Sequence, residues 1–239
     1  DGHPYVVTGE AACKDAACRR AIRMPEPLPL VGNGHRSISA TVSGAVWPTH
    51  NGVAYMRGNA APIILTNGHY APDDWQRMHP DTARIAYHNG FLYVVCRNGG
   101  FILAIKEGAT FSTDLDGHTS LSFKPDEMFV TRTGRLLMRF GTEVKEWDRG
   151  TAKIPHTWQS GEIIFGVATS FGAAGITMAP GEEEWRISMD GSDVLSETVR
   201  SSDHFALPYW ATGQSQQFTL TGTATVKRVA IAASTKELL

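Results

Sequence analysis

The sequence predicts an all-β protein: partial β-propeller blades, then a β-sandwich-like sheet, with one short helix. Three observations predict it. A phrase that opens a hairpin recurs as Asn51-Gly52-Val53-Ala54-Tyr55-Met56, Asn89-Gly90-Phe91-Leu92-Tyr93-Val94 and Thr133-Gly134-Arg135-Leu136-Leu137-Met138. Its glycines, Gly52, Gly90 and Gly134, recur at an interval of about 40 residues, the length of one blade of short strands. After residue 160 that rhythm stops, and longer alternating strands follow, such as Glu184-Trp185-Arg186-Ile187-Ser188-Met189.

Each element has a local reason. Tyr5-Val6-Val7 reads as a strand with no local partner, and the chain, opening on Asp1, reads as a fragment, a processed product or part of something longer. Residues 9–36 read as an irregular arm, because Gly9, Pro25, Pro27, Pro29, Gly32 and Gly34 punctuate it. Lys14, Arg19, Arg20 and Arg23 give that arm a basic face, suited to solvent or to a partner. From Ser37 the pattern turns β, with Ile38, Ala40 and Val42 alternating with polar neighbours. The helix spans Pro72–Met78, with proline at its first position and Asp73 and Asp74 in its first turn. Trp75 and Met78 share one face and should anchor the helix as a plug on the blades. Asn89-Gly90 is a type I′ hairpin turn, and Asn98-Gly99-Gly100 makes the next turn. Met128–Val130, Leu136–Phe140 and Val144–Trp147 form a further blade-like set. The resulting division is an arm over 1–36, blades over 37–160 and a sandwich-like region over 161–239.

Composition narrows the functions. The net charge of −2 supplies no global basic field to draw in nucleic acid. The three cysteines are an odd number; Cys13 and Cys18 either pair or stay reduced, and Cys96 lies mid-strand. No stretch approaches the roughly 18 apolar residues of a membrane-spanning helix.

The candidate sites are acidic or aromatic. Asp114-Leu115-Asp116-Gly117 begins like a calcium loop, but the twelfth position is Pro125 where a bidentate Glu is needed, so a tight turn is expected. Glu182-Glu183-Glu184, beside Pro180-Gly181, reads as a solvated tip. His3, Cys13, Cys18 and His35 match no familiar zinc spacing. There is no HExxH, no nucleophile elbow and no phosphate-binding glycine loop. The expectation is a protein with no catalytic residues, no metal and no cofactor. Trp47, Trp75, Trp158 and Trp210 are the aromatics to inspect for sugar stacking, each otherwise a core residue.

Several phrases together resemble a family of phage tail propeller proteins. Ala45-Val46-Trp47-Pro48-Thr49-His50-Asn51-Gly52-Val53 resembles the family's first hairpin, and Tyr70–Pro80 its Trp-containing helix. Ala83–Tyr93 resembles its next hairpin, Trp158-Gln159-Ser160 the phrase closing its propeller, and Phe205–Pro208 with Leu220–Ala232 its ending. The resemblance covers residues 36–239. Ala71 stands where the family has a capping Ser or Thr, and Gly161 where it has a basic residue. The resemblance implies a virion structural protein, assembled in the bacterial host and resembling the nozzle rings through which DNA leaves short-tailed phages. Its implied partners are identical copies in a ring, neighbouring tail or adaptor proteins, blades from elsewhere in the protein or another chain, and DNA in non-specific passage. Channel-facing acids would then be Asp114, Asp116, Glu182, Glu183 and Glu184. The alternatives are a virion-surface carbohydrate- or receptor-binding propeller and, last, a glycan-degrading propeller enzyme, which would need a carboxylate pair across a cleft.

Overall fold

The computed structural model describes residues 5–8, 20–23, 28–32, 37–58, 60–105, 118–151, 153–208 and 212–238, the first two stretches as backbone only. Among the described residues the protein is all-β with one short α-helix, and the chain divides into two compact units, Asp1–Arg149 and Gly150–Leu239.

In the first unit, β1 (Tyr5–Thr8) pairs antiparallel with β2 (Arg20–Arg23). Two expectations are corrected here: the first strand has a local partner, and the arm is not irregular throughout. Arg20-Ala21-Ile22-Arg23 is too short for alternation to register against its charged ends.

Three antiparallel sheets follow. The first runs β3 (Ser39–Ala40), β4 (Gly44–Thr49), β5 (Gly52–Arg57) and β6 (Ile63–Ile64), paired in that order. Val42 was expected in a strand but lies in a turn, because the Thr41 hydroxyl accepts hydrogen bonds from the Ser43 and Gly44 amides. The helix α1 (Pro72–Arg77) starts at proline, and Ala71 gives it no side-chain cap. The second sheet comprises β7 (Arg84–His88), β8 (Phe91–Cys96), β9 (Gly99–Ala104) and β10 (His118–Ser120). Asn89 (φ 51°) and Gly90 (φ 82°) close its first hairpin as a type I′ turn. Its second turn is Arg97-Asn98, with Gly99 and Gly100 already inside β9. The third sheet is β11 (Glu127–Val130), β12 (Leu136–Phe140) and β13 (Glu143–Glu146).

These sheets stack face to face. Val46, Val53 and Tyr55 of the first share a buried cluster with Leu92, Val94 and Cys96 of the second. The alternate side chains of the second sheet, Ala86, Tyr93 and Ile102, pack with Leu136 and Met138 of the third. The second sheet is thus buried on both faces, and β8 from Leu92 to Cys96 reads as an unbroken apolar run for that reason.

The second unit is a sandwich. One sheet contains β14 (His156–Gln159), β15 (Ile163–Ser170), β17 (Glu183–Met189), β18 (Ser192–Val199) and the long β20 (Thr212–Gly222); the other contains β16 (Ala173–Met178), β19 (Asp203–Ala206) and β21 (Val226–Ala232). β20 is long enough to pair β14 and β15 end to end along one edge and β17 along the other. Trp185, Ile187, Phe218 and Leu220 meet Ala174, Ile176 and Met178 between the sheets. The unit therefore begins before residue 160. Trp158, expected to close the blades, is placed in the sandwich by the pairing of β14 with β20.

Candidate assembly surface

Each of the three glycines stands at the hairpin between the first two strands of a three-stranded meander, β4–β5–β6, β7–β8–β9 and β11–β12–β13, but not at one equivalent place. Gly52 opens β5 opposite Thr49 after the His50-Asn51 turn, Gly90 ends a two-residue turn, and Gly134 lies in the longer loop of residues 131–135. Three residues after each glycine stand Tyr55, Tyr93 and Leu137. Their cross-strand neighbours are Val46 and Ile63, Ala86 and Ile102, and Phe129 and Glu146. The first trio packs toward the second sheet and the second toward the third. The third trio has no further sheet among the described residues. Phe129 on β11 is 64% exposed, and Val144 on β13, across β12 from it, is 63% exposed.

The charges on that open face are already paired. The Arg135 guanidinium grips Glu146 with two hydrogen bonds, Nε at 2.8 Å, and this pairing holds the Glu146 carboxyl below the usual range. Arg149 adds a contact to Glu146 at 3.2 Å. Arg139 lies 3.8 Å from both Glu127 and Asp126. The face interleaves Phe129, Leu137 and Val144 with the paired charges of Glu127, Arg139 and Glu146. A surface of this kind associates through shape and burial more than through net charge.

The helix is held where its anchors were expected. Trp75 is buried, its indole N–H donating to the Thr49 carbonyl at 2.8 Å, and Met78 packs on the same cluster. Around it lie Tyr70, Phe101 and His118. The Tyr70 hydroxyl is 2.5 Å from His118 Nε2. Burial, then the nearby Cys96, pushes Tyr70 up to about 12, while burial, then His69, lowers His118. Cys96 is free and buried, and its thiol is pushed up to about 12, mainly by burial. That makes it a packing residue and a poor nucleophile.

The acidic candidates separate. Asp114 and Asp116 lie outside the described residues, as do Cys13, Cys18, His3, His35 and Trp210. Glu182 is exposed and Glu184 half-exposed, but Glu183 is fully buried, which corrects the expected solvated tip. Strand alternation turns Glu183 inward at the start of β17. Its Oε1 accepts the Ala224 amide at 2.6 Å, and its Oε2 lies 3.5 Å from His156 Nε2. Glu183 is therefore not a channel-facing candidate. The signal for its burial was the alternation of Glu183 with Trp185, Ile187 and Met189, obscured by the acids on either side. Of the inspected tryptophans, Trp47 and Trp75 are buried and Trp158 is 47% exposed.

Among the described residues, no group of three or more His, Cys, Asp and Glu stands together to hold a metal, and no helix is long and apolar enough to cross a membrane. No protein-family model matches the chain, and no curated protein sequence matches it.

Proposed function

We propose that this protein is a structural component of a bacteriophage tail, a propeller-bearing subunit that assembles with identical copies into a ring around the DNA exit path. One observation carries the reading. Successive sheets repeat the same face-to-face packing, and the last sheet ends on a face where Phe129 and Val144 are exposed among paired charges. A repeating stack with an unfilled end is an assembly element, because apolar sheet faces are normally covered. The phrases shared with tail propeller proteins support the tail as its location. A near-neutral chain also suits a wall past which DNA slides, since each Lys or Arg contact to phosphate adds affinity that slows passage.

The test is a density map of the intact particle. This reading expects several copies of the chain in a ring about the tail axis. Its placement as a peripheral, single-copy receptor-binding decoration would overturn the ring.

A further inference from the structure

One side-chain pair ties the segment before α1 to the edge of the second sheet. β10 is the outermost strand of that sheet and three residues long, with His118, Thr119 and Ser120 paired to Leu103, Ile102 and Phe101 of β9. Just beyond it, the Leu121 amide donates to the Gly100 carbonyl at 2.8 Å. So short an edge strand has few backbone bonds and depends on its side chains to stay in place. His118 is the side chain that holds it. Its half-buried ring lies 5.5 Å from that of Phe101 and 5.4 Å from that of Tyr70, and it stacks on His69 at 5.8 Å. The Tyr70 hydroxyl has His118 Nε2 as its hydrogen-bond partner among the described residues, so it donates there to a neutral imidazole.

The surroundings disfavour a charge on His118. The titratable groups that face it are His69 and Tyr70, with Cys96 of β8 acting on Tyr70. Tyr70 and Cys96 are both raised to about 12 and stay neutral. β9 contributes Phe101, and α1 contributes Trp75 behind Tyr70. The charges of α1 are exposed, and its Asp74 is paired with Arg77. Among the described residues, the imidazoles with a carboxylate beside them are His79 and His156, not His69 or His118.

We propose that Tyr70 and His118 form an acid-sensitive latch, in which protonation of His118 breaks its hydrogen bond to Tyr70 and frees β10 from β9 while the rest of the sheet stays paired. The proton comes from solvent and lands on Nε2, the nitrogen whose lone pair the phenol was using. Nε2 then becomes a donor facing a donor, and the Tyr70 proton loses its acceptor. A charge on the stacked His69 works in the same direction, because like charges at that spacing repel. The sign is consistent: burial, then His69, lowers His118. The closed form therefore keeps its full stability above the ordinary imidazole range and loses it as pH falls below that range. β10 can leave alone because it has β9 on one side and no strand on the other among the described residues. The latch is independent of how the chain assembles.

Hydrogen exchange of the full chain, read by mass spectrometry and corrected for the intrinsic effect of pH, tests this. From about pH 7.5 to about pH 5, the amides of residues 118–121 should exchange up to roughly thirtyfold faster, the limit for an imidazole of ordinary value that stays neutral while closed. The amides of Leu92–Val95 in β8 should not change. His118→Gln keeps a hydrogen-bonding side chain that does not titrate in this range, and it should abolish the acid step. A wild type without the step would overturn the proposal, as would a step that survives His118→Gln. Acceleration of β8 alongside β10 would overturn it too, since that is unfolding of the whole sheet. If His118→Gln already exchanges fast at neutral pH, proton NMR supplies the test. The His118 ring signal, assigned by its absence from that variant, should titrate below the ordinary imidazole value and over the same pH range as the exchange step. Tyr70→Phe removes the bond to the neutral ring and should move that titration upward. A titration at the ordinary value, one separated from the exchange step, or one unmoved by Tyr70→Phe would each overturn the latch.

Discussion

His156 and Glu183 meet across a glycine. Both pair with Gly222, His156 from β14 on one side of β20 and Glu183 from β17 on the other. With no side chain at Gly222, the imidazole reaches within 3.5 Å of the buried carboxylate and forms an ion pair whenever it is protonated. The other carboxylate oxygen holds the Ala224 amide, in the turn that carries the chain from one sheet of the sandwich to the other. A Cβ at position 222 would fall 2.5 Å from Glu183 Oε1 and 2.3 Å from the Glu182 carbonyl. Gly222→Ala should therefore destabilise the sandwich more than Glu183→Gln, which keeps an acceptor for Ala224. Glu183→Ala leaves that amide unpartnered and should cost about 1–3 kcal/mol. Urea unfolding of the three variants gives the order, and a Gly222→Ala chain as stable as wild type would refute it.

The three recurrent glycines do not share one constraint. Gly52 (φ 138°) sits where a Cβ would meet the Thr66 hydroxyl at 2.1 Å and Ile64 Cγ2 at 2.7 Å, whereas Gly134 (φ 78°) has nothing within 4 Å. Gly134→Asn should change the melting temperature little, because asparagine tolerates the left-handed region. Gly52→Asn should lower it by many degrees. Equal effects at the two sites would show that backbone conformation alone sets the cost.

Trp75 combines burial with a hydrogen bond. Trp75→Ala should cost about 3–5 kcal/mol. Trp75→Phe keeps much of the packing and strands the Thr49 carbonyl, so it should cost about 1–3 kcal/mol. Denaturant titration separates the two, and a Trp75→Ala chain of unchanged stability would place the helix outside the cooperative core.

The first unit should be sensitive to alkali. Burial raises Cys96, Tyr70 and Tyr93 to about 12, Tyr93 also feeling Asp148. A group raised on folding stabilises fully below its unfolded value and loses that contribution as pH rises through the folded one. Stability should thus hold up to about pH 9 and decline toward pH 12, where the thiol and phenols ionise. Cys96→Ala should soften the early part of the decline. A melting temperature flat from pH 8 to about 12 would contradict the assignment.

Local chemistry made much of the fold readable. Asn and Gly both favour positive φ, so the Asn89-Gly90 hairpin was legible from two residues. Pro72 with Asp73 and Asp74 marked the helix start without reference to anything distant. The spacing of Gly52, Gly90 and Gly134 signalled repeated meanders, although the turns themselves differ: His50-Asn51 and Asn89-Gly90 are two-residue loops and residues 131–135 form a longer one.

What the sequence could not decide was which strand pairs with which, and so which face is covered. Trp158 lies near the end of the repeat along the chain, yet β14 pairs with β20, some sixty residues away, and joins the sandwich. Arg20–Arg23 has too few residues to alternate, and it becomes a strand because Tyr5–Thr8 pairs with it. Glu183 stands between two acids that point to solvent, and only the pairing of β17 with β20 turns it onto Gly222 and Ala224. Phe129 is as apolar as any core residue, and its exposure depends on the sheet that would cover it. Turn type and helix start are set by the few residues that form them. Burial is set by partners distant in the chain, which only tertiary structure brings together.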